Sequence, residues 1–215
     1  MHPAECPEWE YEGFPNKTAI LQHKAAEIFR RLRASPADNQ VFISDTRSLH
    51  KQLFESLTPA SCPYFAGNYR GSDFRCLKYL RVGIRANPRV GVLPHAVLDQ
   101  MTRLRQETEA AINGLDAGHH LPNSQLDSTQ KLAYTVVIVC RLFADFLAVH
   151  PYANGNGHAA RFFLVGILGR YGYWANGWQV EPRPPDPPYS ALIKDYQDGN
   201  KEPLERHVLD CIRSR

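Results

Sequence analysis

A mainly α fold with one small β element is what the sequence predicts, on three observations. Long stretches carry apolar residues at helical spacing. Residues 61–92 break that pattern into short β-prone pieces, interrupted by Gly67, Gly71, Gly83, Asn87-Pro88 and Gly91. One run, residues 132–147, is apolar on more than one side, as a buried helix is. With 215 residues and 43% hydrophobic content the chain can bury one sizeable core, and neither a composition shift nor an internal repeat asks for a second.

Taken in order, Ala19-Ile20-Leu21, Ala25-Ala26, Ile28-Phe29 and Leu32 predict an amphipathic helix over 17–33 that ends near Pro36. A shorter helix spans Thr46 to Leu57 and is stopped by Pro59. The 61–92 region suits a hairpin with irregular connections. Leu93 to Asn113 is helical again, with Pro94 tolerated in the first turn and Asn113-Gly114 as the stop; residues 115–127 form a polar loop. Asp127 or Ser128 then caps the buried helix. A glycine-punctuated loop separates it from a helical run over Ala159 to Leu168. Pro182, Pro184, Pro185, Pro187 and Pro188 stiffen an extended connection toward the C-terminus.

The formal charge of +3, with scattered Lys and Arg, offers no basic stripe for nucleic acid. Five cysteines, an odd number without CxxC spacing, predict free thiols in a reducing compartment. Met1 to Gly13 is acidic and aromatic where a secretory signal has a basic start and an apolar core. Arg141 and Asp145 interrupt the apolar helix and argue against a membrane span. The expectation is a cytoplasmic protein without membrane contact. His119-His120 has no partners at ligand spacing, so no zinc site is expected, and no glycine cluster fits a Walker or dinucleotide fingerprint.

The chemistry concentrates in His150-Pro151-Tyr152-Ala153-Asn154-Gly155-Asn156-Gly157-His158-Ala159-Ala160-Arg161. Pro151 stops the buried helix, and Gly155, Asn156 and Gly157 open the next one, where unpaired N–H groups and the helix dipole attract an anion. His150, whose ordinary pKa near ~6.5 leaves it largely neutral at cell pH, is placed as a general base on a hydroxyl. Asn156 would donate to the attacked phosphate, and Arg161 would return to the same anion as a fork-shaped cation.

This loop resembles the signature of the Fic-domain family, His-Pro-Phe-x-Asp/Glu-Gly-Asn-Gly-Arg-x-x-Arg. It matches at His150, Pro151, Gly155, Asn156, Gly157 and Arg161, with Tyr152 for Phe, and departs where Asn154 replaces the acid and His158 the first arginine. Phe65 to Arg75 is similar to the Gly-x-Tyr-Arg opening of the family's flap hairpin, and Tyr189 to Leu204 to its closing helices. The resemblance covers most of 41–213. It implies a Fic-type helical core with a small β-hairpin flap, residues 1–40 being an N-terminal helical segment packed on a Fic domain over 41–215.

It further implies a protein adenylyltransferase that moves AMP from ATP to a Ser, Thr or Tyr hydroxyl of a target protein, releasing pyrophosphate. His150 would be the catalytic base. Asn154, Gly155, Asn156, Gly157, His158 and Arg161 would hold the phosphates, while Gly67, Asn68, Tyr69 and Arg70 in the flap would hold the target by strand addition. Mg²⁺ would accompany ATP, with Asn154 offering only an amide oxygen where the family has a carboxylate. Both departures imply weakened transfer, and a protonated His158 would restore part of the missing charge at mildly acidic pH. Two alternatives stand beside this: a degenerate Fic domain that binds a nucleotide or partner without turnover, and a transferase using a different phosphate-containing donor. The family's inhibitory Ser/Thr-x-x-x-Glu-Gly/Asn pattern has no full counterpart. Glu8 stands at its Ser/Thr position before Glu12-Gly13, which leaves open an uninhibited chain, a separate small inhibitory protein, or another role for Glu12.

Overall fold

The computed structural model describes residues 6–83 and 87–213; residues 1–5, 84–86 and 214–215, parts of the N-terminal segment, the expected hairpin and the C-terminus, lie outside the described residues. The described residues are mainly helical. Helix α1, Lys17–Ala34, turns Leu21, Ala25, Ile28 and Leu32 inward, as its spacing predicts. The sequence ends this helix at Pro36, yet Pro36 also starts α2, Pro36–Ser44, because proline fits the first helical position and the Ser35 hydroxyl accepts the Asp38 N–H at 3.1 Å. Helix α3, Arg47–Phe54, follows.

No strand forms among the described residues of 61–92, which fold as turns around a short 3₁₀ turn at Pro63–Phe65; Asn87 makes an isolated bridge. The hairpin expected there is therefore not formed by these residues. Their backbone groups are used differently. Arg70 N–H donates to the Pro151 carbonyl at 2.8 Å, and Gly91 and Val92 donate to Ala148 and Val149 at 2.9 and 3.3 Å. The segment is docked on the chain just before the glycine loop, with Phe65, Ala66, Tyr69, Cys76 and Leu77 buried.

Helix α4, Val97–His120, runs straight through Asn113-Gly114 and takes in residues read as loop. Ile112 and Leu115 on either side of that pair are buried, so tertiary packing overrides the local stop signal. Helix α5, Ser128–Val149, opens on a capping box: Gln130 N–H donates to Asp127 Oδ1 at 2.9 Å, and Asp127 N–H to Gln130 Oε1 at 3.0 Å. It is long and apolar enough to cross a membrane by length and composition, and more than half of its apolar window is buried here. Helix α6, Asn156–Arg170, is buried on every side from His158 to Leu168. After a stretch without helix come α7, Tyr189–Gln197, and α8, Glu202–Arg213.

Helices α5 and α6 form the central pair. Helices α4 and α8 pack on α5, while α1, α2 and α3 pack on α6. One apolar cluster runs through all of these elements, from Trp9 to Cys211. Cys6 and Cys76 are disulfide-bonded, with Cα atoms 5.6 Å apart, which corrects the expectation of five free thiols. Cys62, Cys140 and Cys211 are free and buried. Spacing could not reveal the pair, because the two cysteines meet only when the N-terminal segment folds back across the molecule.

Candidate functional site

Between α5 and α6, His150 ends one helix in a left-handed conformation, φ 53°, and Gly155 caps the next at φ 75°. Both open on a cavity of about 580 Å³, also lined by Tyr11, Glu12, Arg161, Arg183, Asp186 and Tyr189. Imidazole Nδ1 of His150 donates to the Leu147 carbonyl at 3.4 Å, which leaves the Nε2 lone pair for the cavity. Burial, reinforced by the nearby Arg70 cation, pushes the His150 pKa down to about 4, so the ring is neutral at pH 7.

Gly155 supplies no capping side chain, and the first-turn amides of Asn156, Gly157 and His158 have no acceptor within the helix. One glycine is needed for steric reasons, and a second lies against the end of an arginine side chain. A Cβ on Gly155 would meet the Phe54 ring at 2.4 Å, and one on Gly157 would meet Arg161 Nη1 at 2.9 Å. Arg161 thus lies directly over the helix start; it is 2% exposed, with Nη2 donating to the Val180 carbonyl at 3.1 Å. Beside it the buried Tyr189 hydroxyl has no hydrogen-bond partner.

Three loop side chains expected to serve a nucleotide are engaged by the protein itself. Asn156 accepts the Tyr152 N–H at 2.8 Å and donates to the Tyr152 carbonyl at 2.9 Å, closing the loop on itself rather than donating to a phosphate. Asn154 accepts the Gly155 N–H at 2.7 Å and donates to the Trp9 carbonyl at 2.8 Å. Its oxygen is turned into the loop, which carries no carboxylate, so the loop's own donors do not fit Mg²⁺. His158 donates from Nε2 to Glu181 at 2.7 Å. Burial lowers its pKa despite that carboxylate, which works against the expected protonated His158.

A scaffold under the loop is set by His50, which stacks on Tyr152 with ring centroids 3.7 Å apart. Its Nδ1 accepts the Gly67 N–H at 2.9 Å and its Nε2 donates to the Asn154 carbonyl at 2.9 Å. The Tyr152 hydroxyl pairs with Thr46 at 2.7 Å. Gly67 and Tyr69 therefore brace the loop from below, while Asn68 donates to the Tyr64 carbonyl. Arg70 is 1% exposed and donates to the carbonyls of Leu80, Val92, Val149 and His150, so its guanidinium faces the fold and not a target.

No protein-family model matches the chain, and no curated protein matches it. The site is therefore described by its geometry alone. Sequence reading missed Trp9, which is buried under the loop, and Tyr11, which lines the cavity with Glu12; Tyr11 lies edge-on to His158 at 5.9 Å, and Glu12 Oε2 is 3.5 Å from Asn154 Nδ2. It also missed Glu181, which no motif marks. Among the aromatic residues of the C-terminal third, Tyr189 lines the cavity, Trp178 is core, and Trp174 lies beside Gly169 near the far end of α6. His119 stacks on Tyr171 and bonds Thr135, away from any ligand set.

Proposed function

We propose that the chain is a Fic-type transferase that moves AMP from ATP to a Ser, Thr or Tyr hydroxyl of a target protein, with the helical core over 41–215 as its catalytic unit. The observation that carries this reading is the meeting in one cavity of a neutral His150, its Nε2 unengaged, and the unpartnered amides at the start of α6 under Arg161. In that arrangement the hydroxyl oxygen attacks the α-phosphorus as its proton passes to His150 Nε2. The bond from the α-phosphorus to the bridging oxygen breaks, and pyrophosphate leaves with the electron pair. The α6 amides and Arg161 stabilise the charge that gathers on the phosphoryl oxygens. Since the loop's own oxygens do not fit Mg²⁺, no step is assigned to a metal.

A second reading, a nucleotide- or partner-binding module without turnover, is favoured by one observation: Asn154, Asn156 and His158 are all engaged with the protein itself. The deciding experiment incubates the chain, and separately His150→Ala, with α-phosphate-labelled ATP and a cell lysate. Label on a protein that vanishes with His150→Ala supports the transferase. Nucleotide binding by calorimetry without label supports the module.

A further inference from the structure

We propose that Arg70 is a positioning residue for His150: its buried guanidinium fixes the left-handed backbone turn from which the imidazole enters the cavity. The inference rests on the reading of His150 as the base.

His150 holds a conformation that is costly twice over. A non-glycine residue with positive φ is uncommon, and a residue before proline is pushed toward extended geometry. Such strain persists only where the surroundings over-determine it. Arg70 supplies the determination. Its Nε donates to the His150 carbonyl at 2.8 Å, Nη2 to Val149 and Val92 at 3.1 Å, and Nη1 to Val92 and Leu80 at 3.1 Å. Its own backbone N–H takes the Pro151 carbonyl at 2.8 Å. Three consecutive carbonyls, 149 to 151, are thus held by one residue, so neither peptide flanking His150 can rotate without losing a bond.

The chemical choice is as informative as the geometry. No carboxylate pairs with Arg70 among the described residues, and burial lowers its pKa to about 10, so a charge is kept inside the protein with only carbonyl dipoles around it. Placed beside an imidazole, the cation disfavours imidazolium and preserves the lone pair a base requires. On its own helix His150 meets no titratable group, only the Leu147 carbonyl. Across the cavity stand Glu12, His158, Arg161, Arg183, Asp186 and Lys194, of mixed sign.

The test is a ring-nitrogen NMR titration of His150 in the full chain, assigned with His150→Gln, compared among wild type, Arg70→Gln and Arg70→Lys. Arg70→Gln is expected to raise the midpoint by a fraction of the lowering that burial causes, and Arg70→Lys, which keeps the charge but not the fork, to leave it low. A folded Arg70→Gln chain with an unchanged midpoint overturns the proposal. Where Arg70→Gln does not fold, the wild type decides: a through-bond coupling between Arg70 Nε and the His150 carbonyl carbon is expected, and its absence overturns the proposal. If the chain transfers no AMP yet titrates as described, the transferase reading falls and the positioning stands.

Discussion

His158 and Glu181 form a buried ion-pair geometry across the start of α6, Nε2 to Oε2 at 2.7 Å, with side chains 4% and 9% exposed. Glu181 comes from the proline-rich stretch, so the pair ties that stretch to the glycine loop. Glu181→Ala leaves the imidazole N–H buried without an acceptor and is expected to cost about 1–3 kcal/mol in urea unfolding, whereas Glu181→Gln, which still accepts, costs less. Equal losses in the two variants would mean that the bond contributes nothing specific.

Acid should loosen the molecule well before its carboxylates titrate. His50 is pushed down to about 3 by burial, and its two bonds require a neutral ring, since Nδ1 must accept from Gly67. His150 lies at about 4. In the unfolded chain both bind protons below about 6.5, and in the folded chain only below those values. The unfolded state therefore gains protons first, so stability is full above pH 6.5 and falls as pH drops toward 4, at roughly 1.4 kcal/mol per unit for each histidine. Urea midpoints at pH 7.5, 6, 5 and 4.5 read this directly; a level profile contradicts it.

Gly155→Ala tests the loop geometry. The added methyl group meets Phe54 at 2.4 Å and His50 Nε2 at 3.0 Å, on a backbone with φ 75°. A loss of about 2 kcal/mol or more is expected from strain and overpacking together. Nucleotide binding by calorimetry should fall with it, because the α6 amides turn away from the cavity.

Asn154→Asp puts a carboxylate into the glycine loop. In this fold it converts the donor to the Trp9 carbonyl into an acceptor and places a carboxylate near Glu12. The expected outcome is a stability loss of about 1–2 kcal/mol without any gain in Mg²⁺-dependent AMP transfer. Metal-dependent activity in the folded variant would show that the loop can turn its side chain outward.

The helices around the glycine loop were legible because their signals are local: apolar period, a proline that stops α5, glycines that open α6. Local signals also misled. Pro36 marks a start as readily as a stop, and Asn113-Gly114 yields to the buried Ile112 and Leu115. The site divides in the same way. His150 and the α6 N-terminus follow from sequence order, but the partners of Asn154 and His158 do not, since Trp9 lies 145 residues away and Glu181 23 residues away. Composition names a side chain's donors and acceptors; only the fold says where they are spent.

Because α6 is enclosed from His158 to Leu168, it has almost no outward face on which variation is harmless. A β-carbon at Gly166 would press on Asn39 and Phe42, and one at Gly169 on Trp174. A comprehensive substitution scan should therefore draw this helix as an unbroken intolerant band, with no trace of the three-to-four-residue rhythm that α1 and α8 display.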